Sequence, residues 1–169
     1  MIIAVGNDHS GLALKTHIVS HLESLGHDII NVGTNDKTRT HSALYATKVT
    51  NLINQNDAEL GILICGTGVG MSICANKVNG IRAAIGTDPY TVKQAKQHNN
   101  TNVLALGALT TSETLAIELV TIWLDAKFED NEVRNYRLNL ISEIETQQSQ
   151  SKQAAHTSQT ESANRFTPK

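Results

Sequence analysis

The sequence predicts an α/β fold in which a five-stranded parallel sheet lies between layers of helices. Five short apolar segments alternate with segments whose apolar residues recur at helical spacing. Such alternation is typical of parallel sheets, whose strands are buried on both faces and read as continuous apolar runs. Since crossovers between parallel strands are right-handed, few strand orders remain.

The first half of the chain begins with a strand over Ile2–Val5, an apolar run that Gly6 ends. Leucine and isoleucine at every third or fourth position then predict a helix over Gly11–Leu25. A second short strand over Asp28–Val32 precedes a polar loop. Apolar residues at helical spacing predict the next helix over Ser42–Gln55.

The middle of the chain opens on a continuous apolar run that predicts a buried strand over Gly61–Cys65. A glycine-rich turn follows, and then a helix over Met71–Lys77. The fourth strand is predicted over Arg82–Ile85. Proline suits a first helical turn, which favours a helix over Pro89–His98. The fifth strand is predicted over Val103–Leu106.

Two more helices complete the predicted order. Ser112 suits an N-cap for a helix over Ser112–Leu124, and a final helix is predicted over Glu132–Ile144. Beyond it the composition turns to Gln, Ser, Thr and Ala, with Phe166 as the single large apolar residue, so little surface can be buried there. We therefore expect an ordered domain over residues 1–145 and a frayed, flexible polar tail over residues 146–169.

The composition excludes several classes of function. Acidic and basic residues number 16 and 14, and the net charge of −2 gives no electrostatic reason to expect a nucleic-acid or anionic-membrane partner. No apolar run reaches the roughly 18 residues of a membrane span, and Met1–Gly6 lacks the basic start of a signal peptide. Two cysteines are too few for a disulfide framework, so we expect a cytoplasmic protein. His17 and His21 have the spacing of zinc ligands but lack a third, so we expect no metal site.

Three glycines follow the third predicted strand at alternate positions, Gly66, Gly68 and Gly70, with a helix directly after them. They let the backbone turn tightly and point several N–H groups, together with the helix N-terminus, at one place. The pattern favours an anion-binding cradle for a phosphate or for an oxyanion formed in a reaction. It is neither a P-loop nor a complete dinucleotide fingerprint. A tight turn that only packs strand against helix is the alternative.

Cys65 lies at the edge of this cradle, where amides and a helix start favour a thiolate that can act as base or nucleophile. Cys74, inside the next helix, is expected to be an inert core residue. The loop after the first strand carries Asp8 and His9 at a strand end, where open α/β sheets bind ligands. A plain helix cap by Asp8 or Ser10 is an equally good interpretation.

Candidate residues also occur away from the glycines. His98 and Asn99 precede the fifth strand, and Arg134 and Arg137 share one face of the last helix, from which two guanidinium groups can grip a phosphate. The alternatives are a histidine that merely ends a helix and a solvated arginine face. Neither pair identifies a function by itself.

Together these loops resemble the type B ribose-5-phosphate isomerase family, which includes the galactose-6-phosphate isomerase subunits. The resemblance runs from residue 1 to residue 144. The segments that carry it are Gly6–His9, Gly61–Ile73, Ala75–Lys77, Gly80–Ala84, His98–Asn99 and Asn102–Gly107. It implies a Rossmann-like α/β/α sandwich, a homodimer or homotetramer with active sites at the subunit interface, and no metal or organic cofactor. Residues 1–145 would form the sugar-phosphate isomerase domain.

The resemblance also implies a role for each candidate. His98 with Asp8 would open the sugar ring, and Cys65 would move a proton between C2 and C1 while Thr67 orients or polarises it. Backbone amides of the cradle would stabilise the enediolate, those of Gly66, Gly68, Val69 and Gly70. The remaining candidates would bind the substrate, chiefly its phosphate, and these are His9, Asn99, Arg134 and Arg137.

Some positions depart from the family pattern. Ser42 and Ala43 stand where a Tyr-Pro pair is usual, and Leu109 stands where an arginine associated with phosphate binding is usual. Of two arginines usually four apart, Arg137 matches the second, whereas Arg134 is displaced by one position and Val133 stands near the first. These departures affect the phosphate site more than the catalytic one, and they leave the identity of the sugar open.

The sequence therefore predicts an aldose–ketose isomerase that binds a small sugar phosphate and interconverts ribose 5-phosphate and ribulose 5-phosphate through an enediolate. The first alternative is a hexose-6-phosphate isomerase acting on galactose 6-phosphate and tagatose 6-phosphate, or on allose 6-phosphate, because Arg39–His41 resembles the lactose-pathway subunit. The second is a non-catalytic phosphosugar-binding protein. Simple binding needs neither the thiol of Cys65 nor the imidazole of His98.

Overall fold

The computed structural model describes residues 1–164, with side chains through Ser151, and its centre is the predicted five-stranded parallel sheet. The strands are β1 (Ile2–Asn7), β2 (Asp28–Asn31), β3 (Leu60–Cys65), β4 (Ala83–Ile85) and β5 (Val103–Gly107). They pair in the order β2-β1-β3-β5-β4. The chain leaves β1 toward β2 and then returns past β1 to β3. The adjacent carboxyl ends of β1 and β3 are therefore the switch point at which such sheets bind ligands.

Helices cover both faces of the sheet, which confirms the predicted α/β/α architecture. The helices over the sheet are α1 (Leu12–Ser24), α2 (Ser42–Asn54), α3 (Val69–Ala75), α4 (Pro89–Asn99) and α5 (Glu113–Asp125). A sixth helix, α6 (Glu132–Asn164), follows them in the sequence. Alternate strand residues feed two separate cores, because side chains along a strand point to opposite faces. In β5, Leu104 and Leu106 pack with α1, α4 and α5, whereas Val103 and Ala105 pack with α2 and α3.

Helix starts follow the chemistry that the sequence indicated. Asp88 Oδ1 accepts from Thr91 N at 2.8 Å before α4, and Ser112 Oγ accepts from Leu115 N at 3.3 Å before α5. The first predicted helix instead begins as a 3₁₀ turn over His9–Gly11 that leads into α1. In the described part of the chain no helix is long and apolar enough to cross a membrane.

The last helix is longer than predicted. The expected end near Ile144 is wrong, because α6 continues to Asn164, through the point where the tail was predicted to begin. No glycine or proline occurs within α6, so nothing in its backbone chemistry stops it. The chain divides into two compact units, Met1–Glu129 and Asp130–Lys169. Residues 165–169, with Phe166, lie outside the described residues, and the flexibility of the tail stays a prediction.

Candidate active site

Asp8 and Cys65 lie side by side at the switch point of the sheet. Cys65 is the last residue of β3, and Asp8 directly follows β1. Because the two strands are hydrogen-bonded neighbours, Asp8 N donates to Ile64 O at 3.1 Å. The two candidate catalytic residues that the sequence placed at separate strand ends are thus brought together by the sheet register.

Asp8 is 7% exposed, and its two carboxylate oxygens have different surroundings. Oδ1 accepts from Ser10 N at 2.9 Å and so caps the short turn that follows. Among the described residues no hydrogen bond to Oδ2 is present. The capping interpretation is therefore correct, and it still leaves one carboxylate oxygen to face a substrate.

The Cys65 thiol receives a hydrogen bond from the glycine-rich turn. Cys65 is 6% exposed, and its sulfur accepts the backbone N–H of Gly68 at 3.2 Å. Gly68 has φ +77°, and a Cβ there would lie 3.2 Å from the carbonyl carbon of Leu106. Glycine is needed because both the left-handed backbone and the close approach of β5 disfavour a side chain. The turn thereby presents the Gly68 amide to the sulfur.

The rest of the cradle is held by the loop after β5. Ala108 N donates to Cys65 O at 2.8 Å, and Leu109 N donates to Gly66 O at 2.9 Å. Thr67 is exposed on the loop, and its Oγ1 accepts from Val69 N at 3.4 Å. Two hydrogen-bonded strand-to-helix loops therefore fix the path of the glycine turn, with the Thr67 hydroxyl on its solvent side.

Two of the positions that depart from the family pattern, Ser42 and Leu109, lie against the cradle. A Cβ on Gly70 would lie 3.2 Å from Ser42 Oγ, and a Cβ on Gly66 would lie 3.3 Å from Leu109 Cδ1. Leu109 is 78% exposed, so an apolar side chain stands at the rim of the site. The departures at these positions alter the wall of the site and leave Cys65 and Asp8 in place.

His9 is half-buried beside Asp8, and its ring is bound to a loop that the sequence did not connect with it. Thr40 N donates to His9 Nδ1 at 3.3 Å, and Tyr45 Oη donates to Thr40 Oγ1 at 3.2 Å. Lys15 is another residue that sequence reasoning missed. It lies on the buried face of α1 with Ile18 and Leu22, and a lysine within an apolar stripe was the available signal.

His98 and Asn99 lie at the opposite edge of the sheet from Cys65. They end α4, a few residues before β5 begins with Val103. Val103 pairs with Gly61, four residues before Cys65, which is about 13 Å along the strand. A single chain therefore does not bring His98 to Asp8 and Cys65. The His98 Nε2 atom instead lies 3.6 Å from Glu129 Oε2.

The segment that carries His98 is firmly anchored at this amino edge. Arg82 Nε donates to the carbonyl oxygens of Asn99 and Asn100, both at 3.0 Å. Lys96 Nζ donates to Thr101 O at 3.0 Å, and Trp123 Nε1 donates to Thr101 Oγ1 at 2.8 Å. Burial lowers the pKa of Lys96, and the positive charge of Arg82 lowers that pKa further. These hydrogen bonds fix the backbone that directly follows His98.

Arg134 and Arg137 belong to the second compact unit. They line one surface pocket near the start of α6, together with Asn131, Glu132 and Val133. Both arginines border this pocket, and their joint binding of a phosphate stays a prediction.

Two histidines with metal-ligand spacing have other partners. His17 Nδ1 lies 2.9 Å from Glu113 Oε1, and His21 Nε2 lies 2.8 Å from Thr121 Oγ1. Both contacts join α1 to α5. Within the described residues no group of three potential ligands of this kind is close enough to hold a metal ion.

Comparison with known proteins gives one consistent family. A model described as Ribose/Galactose Isomerase matches residues 3–141. Ribose-5-phosphate isomerase B of Escherichia coli K12 is 43% identical over 143 residues, which cover 85% of this chain and 95% of that protein. Galactose-6-phosphate isomerase subunit LacB of Clostridium acetobutylicum is 37% identical over 144 residues, which cover 85% of this chain and 83% of the subunit.

Solved structures agree with the comparison of sequences. Ribose-5-phosphate isomerase B of Clostridium thermocellum superposes with a TM-score of 0.85 at 38% identity, over 87% of this chain and 99% of that one. The enzyme of Mycoplasma genitalium with bound ribulose 5-phosphate gives a TM-score of 0.82 at 35% identity, over 86% and 96%. The chain therefore belongs to the ribose/galactose isomerase family of sugar-phosphate aldose–ketose isomerases.

Proposed function

We propose that this isomerase interconverts ribose 5-phosphate and ribulose 5-phosphate, with Cys65 as the base. The observation that carries the proposal is the Cys65 sulfur, which receives the Gly68 N–H at 3.2 Å next to Asp8 at the switch point. The relatives named ribose-5-phosphate isomerase B support the same substrate. Free thiols at both cysteines among the described residues suit the reducing cytoplasm in which we expect the reaction.

The proton transfer takes place on the open-chain sugar. Cys65 as thiolate removes the proton from C2, and the electron pair moves to the carbonyl oxygen, which gives an enediolate. The thiol then returns the proton to C1, the hydroxyl proton of the C2 oxygen passes to the C1 oxygen, and the C2 oxygen becomes the ketone, so no atom is gained or lost. The Gly68 N–H, which donates to Cys65 Sγ, stabilises the thiolate. The other cradle amides, those of Gly66, Val69 and Gly70, stabilise the developing negative charge, with Val69 N released from its 3.4 Å contact to Thr67 Oγ1. The exposed Thr67 hydroxyl orients the reacting oxygens.

Ring opening requires two chains. His98 and Asp8 serve as the pair that moves a proton between the ring oxygen and a hydroxyl. Because His98 lies at the amino edge of its own sheet and Asp8 at the carboxyl edge, the histidine that meets Asp8 comes from a second copy. A homodimer, or a homotetramer built from such dimers, provides this arrangement twice, since a two-fold interface is symmetric.

Phosphate binding falls to groups outside the cradle. His9 offers a ring N–H, Asn99 an amide, and the two arginines of α6 offer guanidinium groups that match phosphate oxygens in pairs. Asn99, like His98, would come from the second copy. Leu109 at the rim adds apolar surface, so the phosphate oxygens are bound by the His9 ring N–H and by the guanidinium groups of Arg134 and Arg137.

A comparison of substrates tests the proposal. Turnover should be highest with ribose 5-phosphate and much lower with galactose 6-phosphate and allose 6-phosphate, assayed side by side. Preference for a hexose 6-phosphate would support the second candidate, which the similarity to LacB favours. Tight binding of these sugars without turnover of any of them would reject an isomerase function for this chain.

A further inference from the structure

Lys15 is a buried cation that the chemistry described above does not use. It lies near the start of α1 with 3% of its surface exposed. Its Nζ donates to two neutral oxygens, Thr34 O at 2.6 Å and Asn35 Oδ1 at 2.7 Å. Burial lowers the pKa of Lys15, since a charge in this place costs free energy. The Lys15 amine is bound by a loop and not by a carboxylate. Because its burial costs free energy, we infer that the amine serves to fix the position of that loop.

The loop that Lys15 holds comprises residues 33–41 and joins β2 to α2. Its start is fastened a second time, because Thr34 N donates to Asn7 O at 3.1 Å, at the end of β1. Inside the loop Asp36 Oδ1 accepts from Thr38 N at 2.7 Å. The segment has no regular secondary structure, so a few bonds of this kind set its path over the Asp8–His9 loop.

The far end of the same loop reaches His9. Thr40 N donates to His9 Nδ1, and the Tyr45 hydroxyl supports the Thr40 side chain. A ring nitrogen that accepts a hydrogen bond carries no proton, so this contact assigns the proton of the neutral His9 ring to Nε2. Nε2 is then a hydrogen-bond donor, which is what a phosphate oxygen requires of its partner.

We propose that Lys15 is a positioning residue for substrate binding. By fixing the start of the 33–41 loop, it holds Thr40 where the backbone N–H selects the Nε2–H tautomer of His9. Hydrogen bonds join Lys15 to Thr34 at one end of the loop and Thr40 to His9 at the other, and the backbone of the loop connects the two ends. The expected effect on KM rests on the proposed function, whereas the expected tautomer of His9 does not.

The variant Lys15→Met tests this, because it keeps the apolar stem and removes only the amine. We expect the KM for ribose 5-phosphate to rise about tenfold while kcat stays within about twofold, since His9 holds the phosphate equally in the ground and transition states. Lys93→Met, at an exposed lysine of α4, is the matched control and should leave both constants unchanged. Nitrogen-15 NMR of the His9 ring should show a protonated Nε2 in the wild type and a mixture of tautomers in Lys15→Met.

Several results would overturn the proposal. A folded Lys15→Met protein with the wild-type KM and the wild-type His9 spectrum is one, and a loss confined to kcat is another. If Lys15→Met does not fold, Asn35→Ala replaces it, because Asn35 is exposed and its side chain accepts one of the two bonds. There we expect a KM about threefold higher and a shifted His9 spectrum, and unchanged values count against Lys15. If the wild type turns over no sugar phosphate, the proposed function fails and the His9 spectrum alone decides the role of Lys15.

Discussion

Cys65 and Cys74 show how position decides what the same side chain does. Cys65 receives a backbone N–H on its sulfur at the switch point of the sheet, whereas Cys74 lies on α3 and packs against the core on that face. This difference could be predicted from the sequence, because an apolar strand and a glycine-rich turn fix the place of Cys65. The same reasoning predicted Asp8, which also directly follows a strand.

A matched pair of glycine substitutions tests the cradle. Gly68→Ala should lower the free energy of unfolding and the turnover, because its Cβ would press on the backbone of β5 and displace the N–H that faces Cys65. Gly26→Ala is the control, since Gly26 has φ +79° but nothing lies within 4 Å of its Cβ position. We expect Gly26→Ala to cost about 1–2 kcal/mol for the left-handed backbone alone. Gly68→Ala should cost at least about 1 kcal/mol more in urea unfolding. Equal losses and normal turnover in both variants would contradict the role given to Gly68.

The contact between His9 and Thr40 could not be predicted at the level of residues. It joins two positions 31 apart through a loop without a repeating pattern, and no periodicity reports on such a path. The sequence showed Ser42 and Leu109 as departures from the family pattern. Only the structure shows that both lie against the glycine-rich turn.

At the scale of elements, the strands were predicted almost to the residue and the last helix was not. A buried parallel strand must be a continuous apolar run, so its sequence marks both ends. The end of α6 was placed by loss of apolar surface, yet helix propensity continues where burial stops, and no residue before Asn164 breaks it. Burial therefore predicts which helices pack against the core, and backbone chemistry predicts where a helix ends.

Truncation tests what the extension of α6 contributes. A chain that ends at Glu145 should keep wild-type kcat and KM, because the family match ends at residue 141 and each proposed site residue precedes the cut. Arg137→Ala in the full chain is the comparison, and it should raise KM by about tenfold through loss of a charged phosphate contact. A truncated protein that folds but loses turnover would assign a catalytic role to residues 146–169.

At the scale of the whole molecule, the two edges of one sheet hold different halves of the proposed machinery. Asp8, His9 and Cys65 stand at the carboxyl edge and His98 at the amino edge, with β5 between them. The sequence placed each residue next to a strand but did not show which edges would meet, since that depends on the arrangement of two chains. The proposed ring opening by His98 and Asp8 therefore requires a site shared by two chains, and this assembly is part of the proposal.

Mixing two inactive variants tests the shared site. Cys65→Ala and His98→Asn each damage every site of their own homodimer, but a mixed dimer contains one site with both residues intact. Equal amounts, unfolded and refolded together, should recover about a quarter of wild-type activity, because half of the dimers are mixed and each has one working site. Each variant refolded alone is the control. Absence of recovery, with mixed dimers shown by mass spectrometry, would place both residues of a site in one chain.

Cys65 has the central role in the proposed mechanism, because it carries the proton between C2 and C1. The most direct measurement is proton NMR of ribose 5-phosphate incubated in heavy water with the wild type, with Cys65→Ala, and with Cys74→Ala. The wild type and Cys74→Ala should place deuterium at C1 of the ribulose 5-phosphate they form and, through the reverse reaction, at C2 of ribose 5-phosphate. Cys65→Ala should bind the sugar yet exchange at least about a hundredfold more slowly, because the proton acceptor is gone. Exchange by a folded Cys65→Ala protein at the wild-type rate would contradict the account.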